Sequence, residues 1–182
     1  MVDRDAGPSR YEAHAHCHFC GGALTLAKPH DGGLECYKCH NVNYRNPTPV
    51  AVLIIPCDVG GRGKEIMAIR RNIEPFRGKL ALPGGFILNG ESWQRAGARE
   101  ASEETGCTIR EHTLEWPQHF MTESTPDGKN ILIIGTARAF YLGDWKPNHE
   151  VQEVVRYTPD SLEKLCFPIH EKAAQLFFAQ TS

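Results

Sequence analysis

Apolar positions along this chain fall into two rhythms: short apolar stretches that suit strands, and helically spaced positions between them. The first kind predicts strands over 50–55, 65–70, 79–82, 115–123, 131–141 and 153–157. The second predicts helices over 92–105, 160–165 and 170–180. The helix at 92–105 has clear ends, with Ser92 placed to cap its N-terminus and Gly106 supplying the left-handed residue that closes it. Ala98, Ala101 and Thr105 share a face of small side chains suited to close packing on a sheet. Gly97 costs roughly 1 kcal/mol relative to alanine inside a helix, so it predicts a tight contact at that turn. Pro126, Asp127 and Gly128, between two apolar segments, form a hairpin signal. Strands interleaved with helices predict an α/β fold, an α/β/α sandwich around a mixed β-sheet.

The other face of the 92–105 helix is acidic. Glu100, Glu103 and Glu104 fall at i, i+3 and i+4, so their side chains converge. Like charges packed that way destabilise a helix, and a hard divalent cation such as Mg²⁺ or Mn²⁺ takes carboxylate oxygens by preference. The competing reading is a solvated acidic face. Just upstream, an apolar run ends in Leu82-Pro83-Gly84-Gly85-Phe86, a sharp turn whose glycines let backbone approach a ligand closely.

Gly85, Glu91, Arg99, Glu100, Glu103, Glu104 and Gly106 stand at the spacing Gly, five residues, Glu, seven residues, Arg-Glu, two residues, Glu-Glu, one residue, Gly. In this the chain resembles the Nudix hydrolases, whose signature box has that pattern. Two positions usually held there by bulky aliphatics are Ala101 and Cys107. The resemblance implies the Nudix sandwich and hydrolysis, by metal-activated water, of a nucleoside diphosphate linked to another moiety. It implies Glu100, Glu103 and Glu104 as ligands of Mg²⁺ or Mn²⁺, with the Gly85 carbonyl as a further ligand. It also implies an ion pair between Glu91 and Arg99 that holds the loop against the helix. The chemistry suits the residues, because a diphosphate repels nucleophiles while divalent ions withdraw charge and lower the pKa of water. The general base stays open among Glu103 and Glu104 in the box and Glu150 ahead of the last strand, where many relatives carry an additional glutamate.

Near the N-terminus, Cys17-His18-Phe19-Cys20 and Cys36-Tyr37-Lys38-Cys39 form two knuckles separated by fifteen residues. Four thiolates so spaced suit a closed tetrahedral Zn²⁺ site, and Gly21, Gly22, Gly32 and Gly33 suit the tight turns of a zinc ribbon. Two disulfides or a redox pair are the rivals, but no thioredoxin-like βαβ pattern adjoins them. The resulting domain plan is a disordered tail over 1–12, a zinc ribbon over 13–46 and the hydrolase domain over 47–182. From Asn43 to Ile55 the chain is similar to the junction of ribbon-bearing Nudix proteins that act on NADH, ADP-ribose or flavin dinucleotides. The aromatic and proline-rich signature of NADH pyrophosphatases is missing after the box, where the chain reads Leu114-Glu115-Trp116-Pro117-Gln118-His119-Phe120. The downstream proline of ADP-ribose enzymes is missing as well, so the substrate stays open, with ADP-ribose or a dinucleotide such as FAD or NADH favoured over a sanitising activity on nucleoside triphosphates. A non-catalytic nucleotide-binding regulator is the alternative from another class.

The chain has 182 residues, a formal net charge of −2 and seven cysteines. That length suits one core plus a small module, with no need of disulfides. The charge offers no basic footprint for nucleic acid, and no apolar run is long enough to span a membrane. Zinc would leave Cys57, Cys107 and Cys166 as free thiols, which favours a reducing cytoplasm. The expected partner is a small-molecule nucleotide, with a homodimer as a further expectation from the resemblance. Arg70 and Arg71, near the approach to Gly84-Gly85 with Arg77 and Lys79, are expected to hold a substrate phosphate or carboxylate, against the alternative of solvated strand-end charges. Trp93, Trp116, Phe120, Phe76 and Phe86 suit either the core or a base ring.

Overall fold

The computed structural model describes residues 16–24, 33–44, 46–57, 65–113, 115–138, 140–141 and 146–180. Contacts divide the chain into two compact units, residues 1–46 and 47–182. In the first, strands β1 (Gly33–Glu35) and β2 (Val42–Tyr44) pair antiparallel, and the turn between them carries Cys36 and Cys39. The tail expected over 1–12 and the hairpin residues 25–32 lie outside the described residues.

In the second unit the chain runs through β3 (Thr48–Ile54), β4 (Ile66–Arg71), β5 (Leu80–Ala81), β6 (Gly84–Phe86), α1 (Trp93–Thr105), β7 (Cys107–Thr108), β8 (Gln118–Ser124), β9 (Asn130–Thr136), β10 (Phe140–Tyr141), β11 (Val151–Tyr157) and α2 (Pro168–Gln180). One sheet has the order β6-β3-β9-β8 and is mixed, since β3 and β9 run parallel while its other pairs are antiparallel. A second, antiparallel sheet has the order β11-β4-β5. The two meet where Met67 N–H donates to Ile55 O and Leu53 N–H donates to Pro83 O.

Strand β3 is buried on both faces and sorts its side chains by alternation. Val52 and Ile54 point into a core shared with Ile66, Leu80, Ile134 and, from α2, Phe177 and Phe178. Leu53 and Ile55 point the other way, into a core with Ala101, Ile109 and Ala137, packed by Trp93 and Trp116. Helices therefore cover opposite faces of the strands, and the α/β/α sandwich predicted from the sequence is the fold.

Helix α1 has the predicted ends: Ser92 Oγ accepts from Arg95 N–H, and Gly106 is left-handed at φ 70° with its N–H on Ser102 O. The tight contact predicted at Gly97 is with Leu53, whose side-chain carbons would lie 3.0 Å from an added Cβ. The hairpin at 126–128 also forms, with Gly128 N–H donating to Thr125 O. The helix predicted over 160–165 does not. Ser161 Oγ accepts from Thr158 N–H, Leu165 bridges to Leu80, and Cys166 N–H donates to Leu80 O, so side-chain and strand partners take the groups a helix would use. The single strand predicted over 131–141 is two, β9 and β10, because the chain leaves the sheet after Thr136 pairs with Ile54 and joins β7 instead. Pro117, which lacks a donor, delays the strand predicted from residue 115 to Gln118. Strand β6 is absent from the predicted set, since Gly84 and Gly85 read as a turn. Among the described residues no helix is long and apolar enough to cross a membrane.

Gly97→Val should lower stability by about 1–3 kcal/mol through overpacking against Leu53, read as a shift in urea unfolding midpoint. An unchanged midpoint would mean that this contact is not tight.

Candidate active site

The acidic face of α1 rests on the backbone of β6. Gly84 has φ 154°, and a Cβ there would collide with Ala51 O. A Cβ on Gly85 would run into the Glu100 carboxylate, so only glycine lets that carboxylate lie against the strand.

Arg99 ties this region together. Its Nε and Nη2 donate to Glu91 Oε1 and Oε2 at 3.0 and 3.1 Å, a two-pronged fork. Nη2 also donates to Phe86 O at 3.0 Å. Nη1 donates to Glu100 Oε1 at 2.6 Å and to Glu103 Oε2 at 3.3 Å. Glu91 in turn accepts from Leu88 N–H, closing the loop between β6 and α1. Hydrogen bonds from Arg99 hold the Glu91 carboxyl below the usual carboxylate range, and those carboxylates raise the Arg99 guanidinium further.

The three helix glutamates have different surroundings. Glu103 is exposed, while Glu100 and Glu104 are buried. Burial raises the Glu100 carboxyl, with Glu103 and Glu150 adding to it against Arg99. Glu104 is raised to about 8, first by burial and then by repulsion from Glu100 and Glu150, which outweigh the Gly84 N–H and Arg71. Its one hydrogen bond among the described residues comes from Gly84 N–H at 2.8 Å. Deep carboxylate oxygens short of positive charge are hard donors suited to Mg²⁺ or Mn²⁺. Their oxygens do not converge on one point: Arg99 holds Glu100 and Glu103 while Glu104 turns back to Gly84.

Glu150 stands across from this face on the segment ahead of β11. Its backbone is held on both sides, the N–H by Asn148 Oδ1 at 2.8 Å and the carbonyl by Asn72 N–H at 2.7 Å. Asn148 Nδ2 reaches Glu103 O, in the last turns of α1, at 3.2 Å. Neither asparagine stands out in the sequence, where an Asn two residues before a Glu in a polar loop has many uses. His170 is a third residue without a sequence signal. Fully buried on α2, it is pushed down to about 3 by burial and so is neutral, and its Nδ1 accepts from Leu82 N–H at 3.2 Å, beneath the turn that leads to Gly84.

Of the two arginines expected at substrate, Arg70 is committed elsewhere. It bridges Glu153 at 2.6 Å and Glu163 at 2.9 Å and donates to Gly78 O, which makes it a tie between β4, β11 and the following turns. Arg71 donates to Pro75 O, lies over the Phe167 ring at 5.2 Å, and is close enough to Glu104 to oppose its raised pKa. Trp93, Trp116 and Phe120 pack against the cores, whereas Phe76 and Phe86 are exposed.

In the first unit Cys17, Cys20, Cys36 and Cys39 bring their sulfurs within 4.8 Å of one another. Sγ atoms of Cys17 and Cys39 are 3.6 Å apart, as are those of Cys20 and Cys36. Two thiolates on one tetrahedral Zn²⁺ stand about 3.8 Å apart for Zn–S bonds of about 2.3 Å. Phe19 N–H and the Asn43 and Asn41 amides point at Cys17 and Cys39 sulfurs, the donors that thiolates attract. The arrangement is compatible with a zinc ribbon.

The family model of the NUDIX domain matches residues 47–179. The chain belongs to the Nudix family. Among curated Nudix relatives, an ADP-ribose pyrophosphatase of Methanocaldococcus jannaschii is 32% identical over 111 residues, covering 61% of this chain and 64% of that protein. A NAD-capped RNA hydrolase NudC of Klebsiella pneumoniae is 23% identical over 141 residues, covering 74% of this chain and 52% of that protein. The chain thus spans less than two thirds of the length of these relatives. A crystal structure of a Nudix hydrolase from Nitrosomonas europaea superposes with a TM-score of 0.72 at 24% identity, covering 91% of this chain and 90% of that one. The Nudix domain of Shewanella oneidensis NrtR, in complex with ADP ribose, superposes with a TM-score of 0.57 at 20% identity, covering 77% of this chain and 90% of that one.

Arg99→Gln should destabilise the Nudix domain by about 2 kcal/mol, since it strips charge-assisted hydrogen bonds from partly buried Glu91 and Glu100. Denaturant titration followed by tryptophan fluorescence measures it, and a loss under about 0.5 kcal/mol would contradict the central place given to Arg99.

Proposed function

We propose that this chain is a Nudix hydrolase that cleaves the diphosphate of a nucleoside diphosphate linked to another moiety, using Mg²⁺ or Mn²⁺. ADP-ribose or a dinucleotide such as FAD or NADH is the substrate class favoured. One observation carries the reading: Arg99 assembles Glu91, Glu100, Glu103 and the Phe86 carbonyl around a glycine pair that leaves room for nothing but backbone. Relatives support the substrate class, one named for ADP-ribose and another crystallised with it.

Glu100, Glu103 and Glu104, with the Gly85 carbonyl, would hold the cation. When bound, it supplies Lewis-acid stabilisation of the diphosphate charge and makes water a better nucleophile. Arg99, anchored on Glu91, orients Glu100 and limits its swing. The group that accepts a proton from attacking water is drawn from Glu103 and Glu104 in the helix and Glu150, which is partly open to solvent beside His149. Arg71, rather than Arg70 with its two carboxylate partners, would be a cation within reach of substrate oxygens. The four cysteines would hold a structural Zn²⁺, which would contribute folding energy to a unit too small for a core of its own.

With Mg²⁺, a panel of ADP-ribose, NADH, FAD, diadenosine polyphosphates and nucleoside triphosphates should give two monophosphate products from ADP-ribose or a dinucleotide. Pyrophosphate released from triphosphates would favour the sanitising activity instead, and tight binding with no turnover would leave a nucleotide-binding regulator. Glu103→Gln and Glu104→Gln should each lower kcat by at least about 100-fold, and full turnover in both would sink the metal assignment. Metal analysis of reduced, unchelated protein should find about one zinc per chain, and finding none would refute the ribbon site.

A further inference from the structure

We infer that Asn41 and Asn43, on the stretch leaving the second cysteine knuckle, are positioning residues of the cysteine site, each giving one knuckle's sulfur an amide N–H donor. Asn43 does so across the unit, in place of the side chain that Gly22 lacks. The inference rests on the zinc reading of the four cysteines, names two residues that are not ligands, and is independent of the hydrolase reading.

The two knuckles are built alike. In each, the first cysteine's N–H donates to a carbonyl beyond the second, Cys17 to Gly22 O at 2.8 Å and Cys36 to Asn41 O at 2.9 Å. The residue before that carbonyl returns a bond, Gly21 N–H to Cys17 O and His40 N–H to Cys36 O, both at 2.8 Å. Both of these residues are left-handed, with φ 67° and 58°. The knuckles part at the carbonyl residue itself. Asn41 has an amide, and its Nδ2 donates to Cys39 Sγ at 3.4 Å. Gly22 has none, and a Cβ there would lie 3.1 Å from Lys38 Cβ and 3.3 Å from Cys20 Sγ, which leaves little room for a side chain.

Asn43, on β2, makes good the difference. It is buried, and both ends of its amide are used. Oδ1 accepts from His18 N–H, inside the first knuckle, at 2.8 Å. Nδ2 donates to Cys17 Sγ at 3.5 Å and to Asn41 O at 3.3 Å. The His18 N–H can only donate and the Asn41 carbonyl can only accept, so the amide has one orientation and its NH₂ faces the sulfur. One side chain thereby joins the first knuckle to the turn that closes the second. Four thiolates on one divalent ion leave negative charge in excess, and N–H dipoles aimed at sulfur offset it without competing for the metal. Removing such a donor leaves a more electron-rich thiolate.

The test uses the full chain, reduced and stripped of metal, titrated with Co²⁺ as a coloured stand-in and then with Zn²⁺ against a chelator of known affinity. Asn43→Ala should weaken Zn²⁺ by about tenfold or more, the range for loss of an outer-shell partner. It should also move the thiolate-to-cobalt charge-transfer band to lower energy, a shift that a merely structural role would not produce. Asn43→Asp keeps an acceptor for the His18 N–H but sets an oxygen against Cys17, so it should lose at least as much as alanine. Asn41→Ala changes an exposed side chain and guards against a position-43 variant that merely folds poorly; its band should move the same way, through Cys39. An unmoved band in Asn41→Ala would overturn the inference, as would Zn²⁺ affinity in Asn43→Asp equal to that of the unaltered chain, either result leaving the zinc site itself in place. An unaltered chain that gives no tetrahedral Co²⁺ spectrum would overturn the zinc reading and this inference with it.

Discussion

Burying carboxylate is the constraint around which this protein's centre is arranged. An ion taken out of water costs several kcal/mol even after relaxation. Glu100 and Glu104 both sit inside, one against Gly85 and the other under Gly84. Against that cost stand one guanidinium, one backbone N–H and the partial reach of Arg71. The balance leaves Glu104 with a carboxyl raised to about 8, so local interactions do not fully compensate its burial. A fold that keeps such a residue is arranged for something other than its own stability, and hard cation binding is the chemistry those oxygens suit.

The rest of the domain makes that arrangement rigid. Leu53 on β3 presses α1 at Gly97, and Val52 and Ile54 on the same strand anchor the opposite core under α2. Moving α1 outward would open the Leu53 core, and moving β3 would open both. Strand β6 is registered on β3, with Gly84 opposite Val52 and Gly85 opposite Ala51. The glycine backbone and the glutamates are thus positioned by a shared strand, and the precision of the site is inherited from core packing. His170 adds to this from below by accepting the Leu82 N–H ahead of the same turn, as a neutral imidazole that a charged side chain could not replace.

What was legible in the sequence followed from rules local to a few residues. Helix α1 and its two caps depend on spacings within one element, while the Glu91–Arg99 pair was implied by the family resemblance. The paired cysteines were legible from their spacing. Failures came where partners lie far along the chain. The segment at 160–165 has helix-compatible residues, but Leu80, far back along the chain, claims the backbone of Leu165 and Cys166. Arg70 looked free for substrate until Glu153 and Glu163 reached it from the far end of the domain. Asn148 and Asn72 were invisible because an asparagine declares its role only when both ends of its amide have found partners.

The guanidinium of Arg99 divides its work in a way that bears on how an acidic centre of this kind stays ordered. Nε and Nη2 serve Glu91 and the Phe86 carbonyl, which fix the loop, while Nη1 alone serves Glu100 and Glu103, which face the site. Drawing the two helix glutamates toward a cation therefore competes with one nitrogen and leaves the fork to Glu91 intact. A lysine at this position could not separate the two tasks, since its single ammonium would have to release the loop in order to release the glutamates. Under the proposed cation-binding role arginine meets that requirement: it would neutralise the cluster, then yield it, while holding its own loop in place.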